Sequence, residues 1–342
     1  MKNFVVLEEE KGWIEWAAEC MTHGYSENSL KKIMSDRGVP EDRTQPILDE
    51  IKKLPLYGSL DKITQKYKRS CSVLGNFQKL QEQDPFYYRV ERIESPTLHE
   101  FFVKYWLGCK PVIITDIAKT WKILESWTFE RFAKEFGEEE IEIQANRETD
   151  VEFEINSAAH KTKVSLKWFI DSINSQTQDT NDFYMTANNQ VFAKTKFKEL
   201  LKEVGPLPPY MSTDPNCIGW RHLWMGPPGT VTPFHHDSCA LVHLQIQGSK
   251  IWRLVSPFEY GNVYNHKHVF SPINIFDIDY TKYPLMKNVQ FMDVVVNPGE
   301  AIFLPMGWWH GVKSLGKTIS MSLTDFAFPN NGWTYSEVRN AL

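Results

Sequence analysis

The chain has 342 residues, which is enough for one large domain with an appendage or for two domains. Its aromatic content of 13%, with twelve tryptophans, is typical of a β-rich core. The formal net charge of −5 argues against the strongly basic surface that usually accompanies nucleic-acid binding.

The cysteines and the N-terminal stretch bear on the cellular compartment. Five cysteines lie far apart and never form a Cys-x-x-Cys pair, which predicts reduced thiols rather than a disulfide framework or a zinc knuckle. The first ten residues hold only four consecutive apolar residues before three glutamates, a pattern unlike that of a signal peptide. Since no apolar run has the length of a membrane span, we expect a cytoplasmic protein without membrane segments.

Residues 1–85 have a helical pattern. Apolar residues recur at steps of three and four after residue 10, which predicts a short amphipathic helix. Ser26 can cap a second helix, and further helices are predicted over residues 45–54 and 60–82. We interpret this N-terminal helical region as an appendage for structure, dimerisation or substrate docking, which keeps a homodimer open.

Residues 86–342 have the pattern of a mainly β domain with helices. Short β-branched and aromatic runs alternate with turn residues, and this favours a closed or double-sheet β structure over βαβ units. Helices are predicted over residues 128–137 and 165–174. Strands are predicted over residues 111–115, 141–143, 240–247, 250–255, 289–296, 301–304 and 317–326.

A His-x-Asp pair within the β-rich half is a candidate for metal binding. His235 and Asp237 would lie on the same face of a strand, because side chains alternate with period two. Alone the pair is a weak pattern, since either residue can be an ordinary surface or core residue. His310 is the candidate third ligand, and two histidines with one carboxylate leave three positions open on a non-haem ferrous ion. A four-ligand zinc site would leave no such room.

The open positions would accept a bidentate 2-oxo acid and dioxygen. The far carboxylate of such an acid needs a fixed cation and a hydroxyl, which Lys250 and Thr232 can provide. If Gly248 and Ser249 form a two-residue hairpin turn, Lys250 points to the same side as the candidate ligands and His243. A straight hairpin would place Lys250 about 40 Å from His235, so the chain must bend after Asp237.

Residues from about 95 to 326 resemble the JmjC-domain hydroxylases, among them the asparaginyl hydroxylase that acts on hypoxia-inducible factor and JmjC arginyl hydroxylases. The likeness is ordered along the chain, and its most specific part is the run Pro-Gly-x5-Pro-x-x-Trp-Trp-His-x-Val that begins at Pro298. The other segments that carry it are residues 110–116, 121–127, 183–185, 223–229, 232–237 and 245–250.

The resemblance implies a double-stranded β-helix, the jelly-roll or cupin fold of the JmjC type. It also implies a catalytic iron(II) held by His235, Asp237 and His310. Binding of 2-oxoglutarate is implied for Lys250, Thr232 and Tyr184.

Two positions depart from these relatives. Leu241 stands where they commonly have an asparagine, and Thr324 stands where the asparaginyl enzyme has one. The asparagine that matches Leu241 lies near the cosubstrate or the metal-bound oxygen in the relatives. Because the metal triad and Lys250 are intact, we expect catalysis to be retained, while the two departures argue against carrying over the substrate of either relative.

The expected activity is hydroxylation of a C–H bond, in an amino-acid side chain of a protein or peptide, with iron(II), 2-oxoglutarate and dioxygen. The alternatives are N-methyl-lysine demethylation, hydroxylation of a tRNA base, and a silent cupin-like module that only binds. The chain shows no Cys/His zinc modules of the kind chromatin demethylases often carry, and its acidic charge disfavours tRNA. The intact ligand set disfavours a silent module.

Overall fold

The computed structural model describes residues 10–22, 25–54, 56–214, 221–265 and 267–330. The chain divides into two compact units, Met1–Phe77 and Gln78–Leu342. The division falls within one long helix, near the change of sequence pattern after residue 85. None of the helices in the described ranges combines the length and the apolar character that a membrane span requires.

The first unit is helical, as predicted. The second helix begins at Ser26, whose hydroxyl accepts a hydrogen bond from the backbone N–H of Ser29. The third helix begins before the predicted position, because Glu41 and Asp42 occupy a first turn where acidic residues are favourable. The helices are α1 Lys11–Thr22, α2 Glu27–Asp36, α3 Glu41–Lys53 and α4 Tyr57–Gln81, which contains the point of division. Their shared core consists of Ala17, Leu30, Met34, Val39, Ile47, Leu48 and Ile51.

The helices of the second unit are short. Both predicted helices form, and they begin at Thr128 and Ser165, whose hydroxyls cap the first turn. A π-helical segment, Phe101–Leu107, continues directly from the short helix Leu98–Glu100. The α-helices of this unit are α5 Leu98–Glu100, α6 Ile123–Ser126, α7 Phe129–Phe136, α8 Ser157–His160, α9 Leu166–Asn174 and α10 Thr195–Lys198.

Two β-sheets form the main body of this unit. One has six strands in the order β1-β2-β10-β7-β12-β5, and the other has four in the order β6-β11-β8-β9. Strands β3 and β4 pair separately. The strands are β1 Glu91–Ile93, β2 Val112–Ile114, β3 Glu140–Gln144, β4 Lys161–Ser165, β5 Arg221–Gly226, β6 Val231–His236, β7 Leu241–Gln247, β8 Lys250–Val255, β9 Met292–Val296, β10 Ala301–Leu304, β11 Trp309–Ser314 and β12 Thr318–Leu323.

The two sheets pack face to face through apolar side chains of both. Trp252 and Leu254 of the four-stranded sheet share a buried cluster with Ile302 and Leu304 of the six-stranded sheet. From β5 onward the chain passes repeatedly from one sheet to the other. This is the double-stranded β-helix that the resemblance implies, and it agrees with the double-sheet structure that the strand pattern predicts.

The predicted hairpin turn between β7 and β8 is wrong. Gly248 and Ser249 do not join paired strands, because β7 and β8 belong to different sheets. They carry the chain from one sheet to the other, and Gly248 adopts a φ of +67° there. A Cβ atom at this position would lie 2.1 Å from the carbonyl oxygen of Lys317, so the crossing requires glycine. The predicted bend after Asp237 is confirmed by a second crossing, between β6 and β7.

Candidate active site

The two candidate histidines lie opposite each other on neighbouring strands. Strands β6 and β11 are antiparallel, and His235 pairs directly with His310. Asp237 follows β6 immediately. Because the backbone register sets the two imidazoles side by side, their ring centroids are only 4.2 Å apart.

The three side chains converge at one point. The Nε2 atom of His235 lies 3.8 Å from one carboxylate oxygen of Asp237, and the Nε2 atom of His310 lies 3.7 Å from the other. One donor atom from each residue fits within a span of 4.8 Å. Within the described residues, no other group of three histidine, cysteine or acidic side chains meets this condition.

The surrounding backbone fixes which nitrogen of each imidazole faces the centre. The Nδ1 atom of His235 lies 2.7 Å from the carbonyl oxygen of Pro233, and that of His310 lies 2.9 Å from the carbonyl oxygen of Trp308. Each Nδ1–H can donate there, which leaves the Nε2 lone pair free to ligate. Burial lowers the pKa of His310 to about 3, so this imidazole is neutral at physiological pH.

The donor set fits a ferrous ion. Two imidazole nitrogens and one carboxylate oxygen on one side of a cavity form a facial triad with room for further ligands. The Cys239 thiol also lines the cavity, but it is not one of the three side chains whose donor atoms converge, and burial raises its pKa to about 11.

Lys250, the first residue of β8, is a buried cation beside this cluster. Its side-chain nitrogen donates hydrogen bonds to the hydroxyls of Tyr184 and Ser320, at 3.0 and 2.8 Å, and lies 3.4 Å from His243 Nε2. In the described part of the chain Lys250 forms no ion pair. Burial lowers the pKa of Lys250 to about 7. An amine so costly to bury indicates a site for an anionic ligand.

Two hydroxyls accompany this amine. The backbone of Tyr184 pairs with Gln144, and its ring packs in the interior with 2% exposure. The Tyr184 hydroxyl accepts the hydrogen bond from Lys250 and forms another with the Thr232 side chain. Burial raises the pKa of Tyr184, so its hydroxyl keeps its proton. A cation and two hydroxyls therefore face the same space.

One cavity of about 340 Å³ contains every site residue that the sequence predicted. Leu241 and Thr324, the two departures from the relatives, line it as well. His243 also lies inside, as its parity predicted, and is 4% exposed. The six predicted site residues are His235, Asp237, His310, Lys250, Thr232 and Tyr184.

Sequence reasoning missed several residues that line this cavity or contact Lys250. Ser320 accepts a hydrogen bond from Lys250, and the alternation of serines with apolar residues along β12 was the pattern that could have revealed a polar inner face. Trp252 lies parallel to His310 at a centroid distance of 5.5 Å and limits the movement of that ring. Glu154 lines the cavity from a turn that the sequence pattern does not single out.

Two facing sheets that enclose two imidazoles and one carboxylate define a cupin-type protein with a candidate metal centre. The family model described as Cupin-like domain matches residues 98–323. The chain belongs to this family.

Several of the curated relatives carry Jumonji or JmjC names. Jumonji C domain-containing protein 5 of Drosophila melanogaster is 25% identical over 246 residues, which cover 68% of this chain and 59% of the relative. Lysine-specific demethylase JMJ30 of Arabidopsis thaliana is 27% identical over 241 residues, 68% of this chain and 54% of the relative. HSPB1-associated protein 1 of Homo sapiens is 40% identical over a shorter stretch of 101 residues, 27% of this chain and 20% of the relative. The chain thus spans between one half and three fifths of the length of the first two relatives.

Proposed function

We propose that the protein is an iron(II)- and 2-oxoglutarate-dependent oxygenase that hydroxylates a C–H bond in an amino-acid side chain of a protein or peptide. One observation carries this proposal: a two-histidine, one-carboxylate cluster shares a cavity with a buried lysine that forms no ion pair in the described residues. Family membership supports the same chemistry.

His235, Asp237 and His310 would hold the iron on one side of the cavity. Bound there, ferrous iron with 2-oxoglutarate and dioxygen supplies the oxidation of a C–H bond, and the cosubstrate leaves as succinate and carbon dioxide. The chain contributes the positions of the ligands, because hydrogen bonds to backbone carbonyls fix both imidazoles before any metal arrives.

Lys250, Tyr184 and Thr232 would bind the far carboxylate of 2-oxoglutarate. The ammonium provides the opposite charge, and the two hydroxyls can donate hydrogen bonds once a carboxylate oxygen is there to accept them. Since Lys250 is buried, this ion pair would form away from water, where it is stronger than at the surface.

The remaining part of the cavity would receive the substrate. The whole cavity, which the cosubstrate would share, has a volume of about 340 Å³, at the lower end of the range of about 300 to 1,000 Å³ for small-molecule sites, so a single inserted side chain suits the remaining space better than a larger body. Leu241 and Thr324 line this space and would contact the substrate.

N-methyl-lysine demethylation is the second candidate. Several relatives bear the name lysine-specific demethylase. The same residues would serve both reactions, and release of formaldehyde would distinguish demethylation from stable hydroxylation.

Anaerobic addition of ferrous iron and 2-oxoglutarate tests the proposal. Wild-type protein should develop the visible charge-transfer absorption of a 2-oxo acid bound to iron, and should form succinate after oxygen is admitted. Asp237→Ala should abolish both. Asp293→Ala, which removes a surface carboxylate paired with Arg253, serves as the matched control and should change neither. A wild-type protein that stays colourless and forms no succinate would contradict the oxygenase proposal.

The substrate can be sought with the active protein. Cell-extract proteins incubated with enzyme, iron and 2-oxoglutarate should yield peptides that gain one oxygen atom in mass spectrometry. Formaldehyde release with loss of a methyl group would favour the demethylase reaction instead.

A further inference from the structure

Arg147 is a buried cation near the candidate active site, and the proposed function assigns it no role. It lies in a short 3-10 turn, Arg147–Thr149, directly after Asn146, whose φ of +57° turns the chain sharply. Its side chain has no exposed surface. Arginine is almost never fully buried unless it is paired, so its burial requires a reason.

The guanidinium of Arg147 makes few polar contacts. Its Nη2 atom donates a hydrogen bond of 2.7 Å to the carbonyl oxygen of Val231, and the carboxylate of Glu154 lies 3.8 Å away. Its Nε and Nη1 atoms have no hydrogen-bond partner in the described residues. Burial lowers the pKa of Arg147 only to about 10, so the group stays charged at neutral pH.

Its apolar contacts are with aromatic rings. The guanidinium carbon lies 4.2 Å from the ring centroid of Phe153 and 5.2 Å from that of Tyr184. A planar cation over an aromatic face is attracted by the ring and restricts its rotation.

Both kinds of contact involve groups next to the Thr232 and Tyr184 hydroxyls, which lie near Lys250. The carbonyl of Val231 belongs to the peptide bond that precedes Thr232, so the hydrogen bond from Arg147 holds the backbone at Thr232. Of the two rings that the Arg147 guanidinium contacts, the one 5.2 Å away is that of Tyr184, which carries the other hydroxyl. Lys250 approaches the same ring, at 5.6 Å from its centroid. The Arg147 guanidinium thus contacts the ring that carries one hydroxyl and the peptide bond next to the residue that carries the other.

We propose that Arg147 is a positioning residue of the 2-oxoglutarate pocket: it holds Tyr184 and the backbone at Thr232 so that both hydroxyls face the carboxylate bound by Lys250. This inference rests on the proposed function. Lysine could not replace Arg147, because it lacks the planar group that donates and stacks at the same time.

The test compares two ligands that differ in the far carboxylate. Calorimetry would measure binding of 2-oxoglutarate and of 2-oxobutyrate, which lacks that carboxylate, to the full chain loaded with Mn(II). In Arg147→Met the dissociation constant for 2-oxoglutarate should rise by roughly 10- to 100-fold, the range found when groups behind metal ligands are removed. The constants for Mn(II) and 2-oxobutyrate should stay within about twofold of wild type.

Two further variants complete the design. Arg147→Lys keeps the charge without the planar group and should lose almost as much affinity for 2-oxoglutarate as Arg147→Met does. If Arg147→Met does not fold, the affinity of Arg147→Lys alone tests whether Arg147 positions the pocket. Arg253→Met is the matched control, since Arg253 lies on the same strand as Lys250 but pairs with Asp293. Its affinity for 2-oxoglutarate should be unchanged.

Several results would overturn the inference. Unchanged 2-oxoglutarate binding in Arg147→Met would show that the residue does not position the pocket, and equal loss for both ligands would show a general structural role. Full affinity in Arg147→Lys would show that charge alone matters. If wild-type protein binds Mn(II) but no 2-oxoglutarate, the proposed function fails as well, and this outcome is distinguished by the wild-type measurement alone.

Discussion

Burial of Lys250 in the candidate site is costly, because the residue is 1% exposed and its ammonium meets only hydroxyls and an imidazole. Lys250 has no counter-ion among the described residues, so an apolar side chain of similar length removes the cost of burying a charge, and this offsets the hydrogen bonds that Tyr184 and Ser320 lose. Lys250→Met should therefore abolish 2-oxoglutarate binding while the free energy of unfolding changes by less than about 1 kcal/mol.

Urea denaturation and calorimetry would measure the two effects separately. Lys313→Met is a suitable control, since it removes a half-exposed lysine from β11 that pairs with Asp179. A loss of more than about 1 kcal/mol of stability in Lys250→Met would contradict the reasoning, because it would mean that the amine stabilises the ligand-free fold.

The pKa of Lys250, about 7, predicts a pH dependence of cosubstrate binding. A carboxylate binds the charged amine, so above pH 7 the free protein must take up a proton on binding, and the dissociation constant should rise by up to about tenfold per pH unit. Below pH 7 the amine is already charged and the constant should level off. The neighbours do not titrate in this range, because burial lowers the pKa of His243 and raises that of Tyr184.

Calorimetry in two buffers of different ionisation enthalpy would count the protons. Uptake of about one proton per 2-oxoglutarate well above pH 7, and of almost none well below it, is expected. A dissociation constant that does not change between these conditions would contradict the assignment to Lys250.

Individual site residues differed in how far sequence could predict them. His235 and Asp237 could be predicted as a candidate pair, because a His-x-Asp spacing in an extended segment points both side chains the same way, although β6 ends at His236. Tyr184 was not, since a single tyrosine in an aromatic-rich chain has the pattern of a core residue, and only the resemblance to JmjC proteins singled it out. Arg147 carried no motif at all, and its burial became visible only in three dimensions.

At the scale of elements, the last residue of β5 controls how closely Tyr184 can approach. A Cβ atom at Gly226 would lie 2.6 Å from the Tyr184 ring, so Gly226→Ala must displace that ring. We expect a loss of about 1 to 3 kcal/mol in stability and weaker 2-oxoglutarate binding, with Mn(II) affinity unchanged.

Gly316→Ala is the matched control for that prediction, because a Cβ atom there would meet no heavy atom within 4 Å. Chemical denaturation and calorimetry apply to both variants. Unaltered 2-oxoglutarate affinity in Gly226→Ala would show that the position of the Tyr184 ring does not matter for the pocket.

The strands of the interior were predicted best where they are apolar. Strands β8 and β10 have the predicted bounds, whereas no bounds are predicted for β6 or β11, although the His-x-Asp pair is expected on a strand. Strands β6 and β11 carry the site residues. Pro233, the histidines and Gly311 therefore stand where apolar residues would otherwise alternate, and this alternation is the pattern by which strands are recognised. The hairpin assigned to Gly248 and Ser249 failed because the same turn residues suit a crossing between sheets, and local chemistry does not specify which partner a strand finds.

For the whole molecule, two separate cores predict two unfolding transitions. Leu48 is fully buried in the core of the first unit, so Leu48→Ala should destabilise that unit by about 2 to 5 kcal/mol. Calorimetric unfolding should show one transition lowered by this substitution, and 2-oxoglutarate affinity should be preserved. Mn(II) with 2-oxoglutarate should raise the other transition.

Leu56→Ala, at a leucine that is 70% exposed in the same unit, should leave both transitions in place. A single transition that Leu48→Ala lowers and the ligands raise would contradict independent unfolding of the two units.

The sequence predicts the overall architecture only as far as the periodicity of its apolar residues differs along the chain. A helical pattern gives way to short strands near residue 85, and the helical region and the β-rich body are both present. The order of strands within the sheets did not follow, because pairing partners far apart in the chain leave no local trace in composition or periodicity. The role of the N-terminal helices in dimerisation or docking stays a prediction.

The direct pairing of His235 with His310 has a consequence for how a metal would bind. Two ligands far apart along the chain are already neighbours in a hydrogen-bonded ladder, so the loop-closure entropy between them is lost on folding rather than at metal capture. The ion would therefore bind two imidazoles whose separation, the bite of the chelate, is set by the spacing of the two strands. Between β8 and β9, the long irregular connection could lengthen or shorten while that bite stays the same.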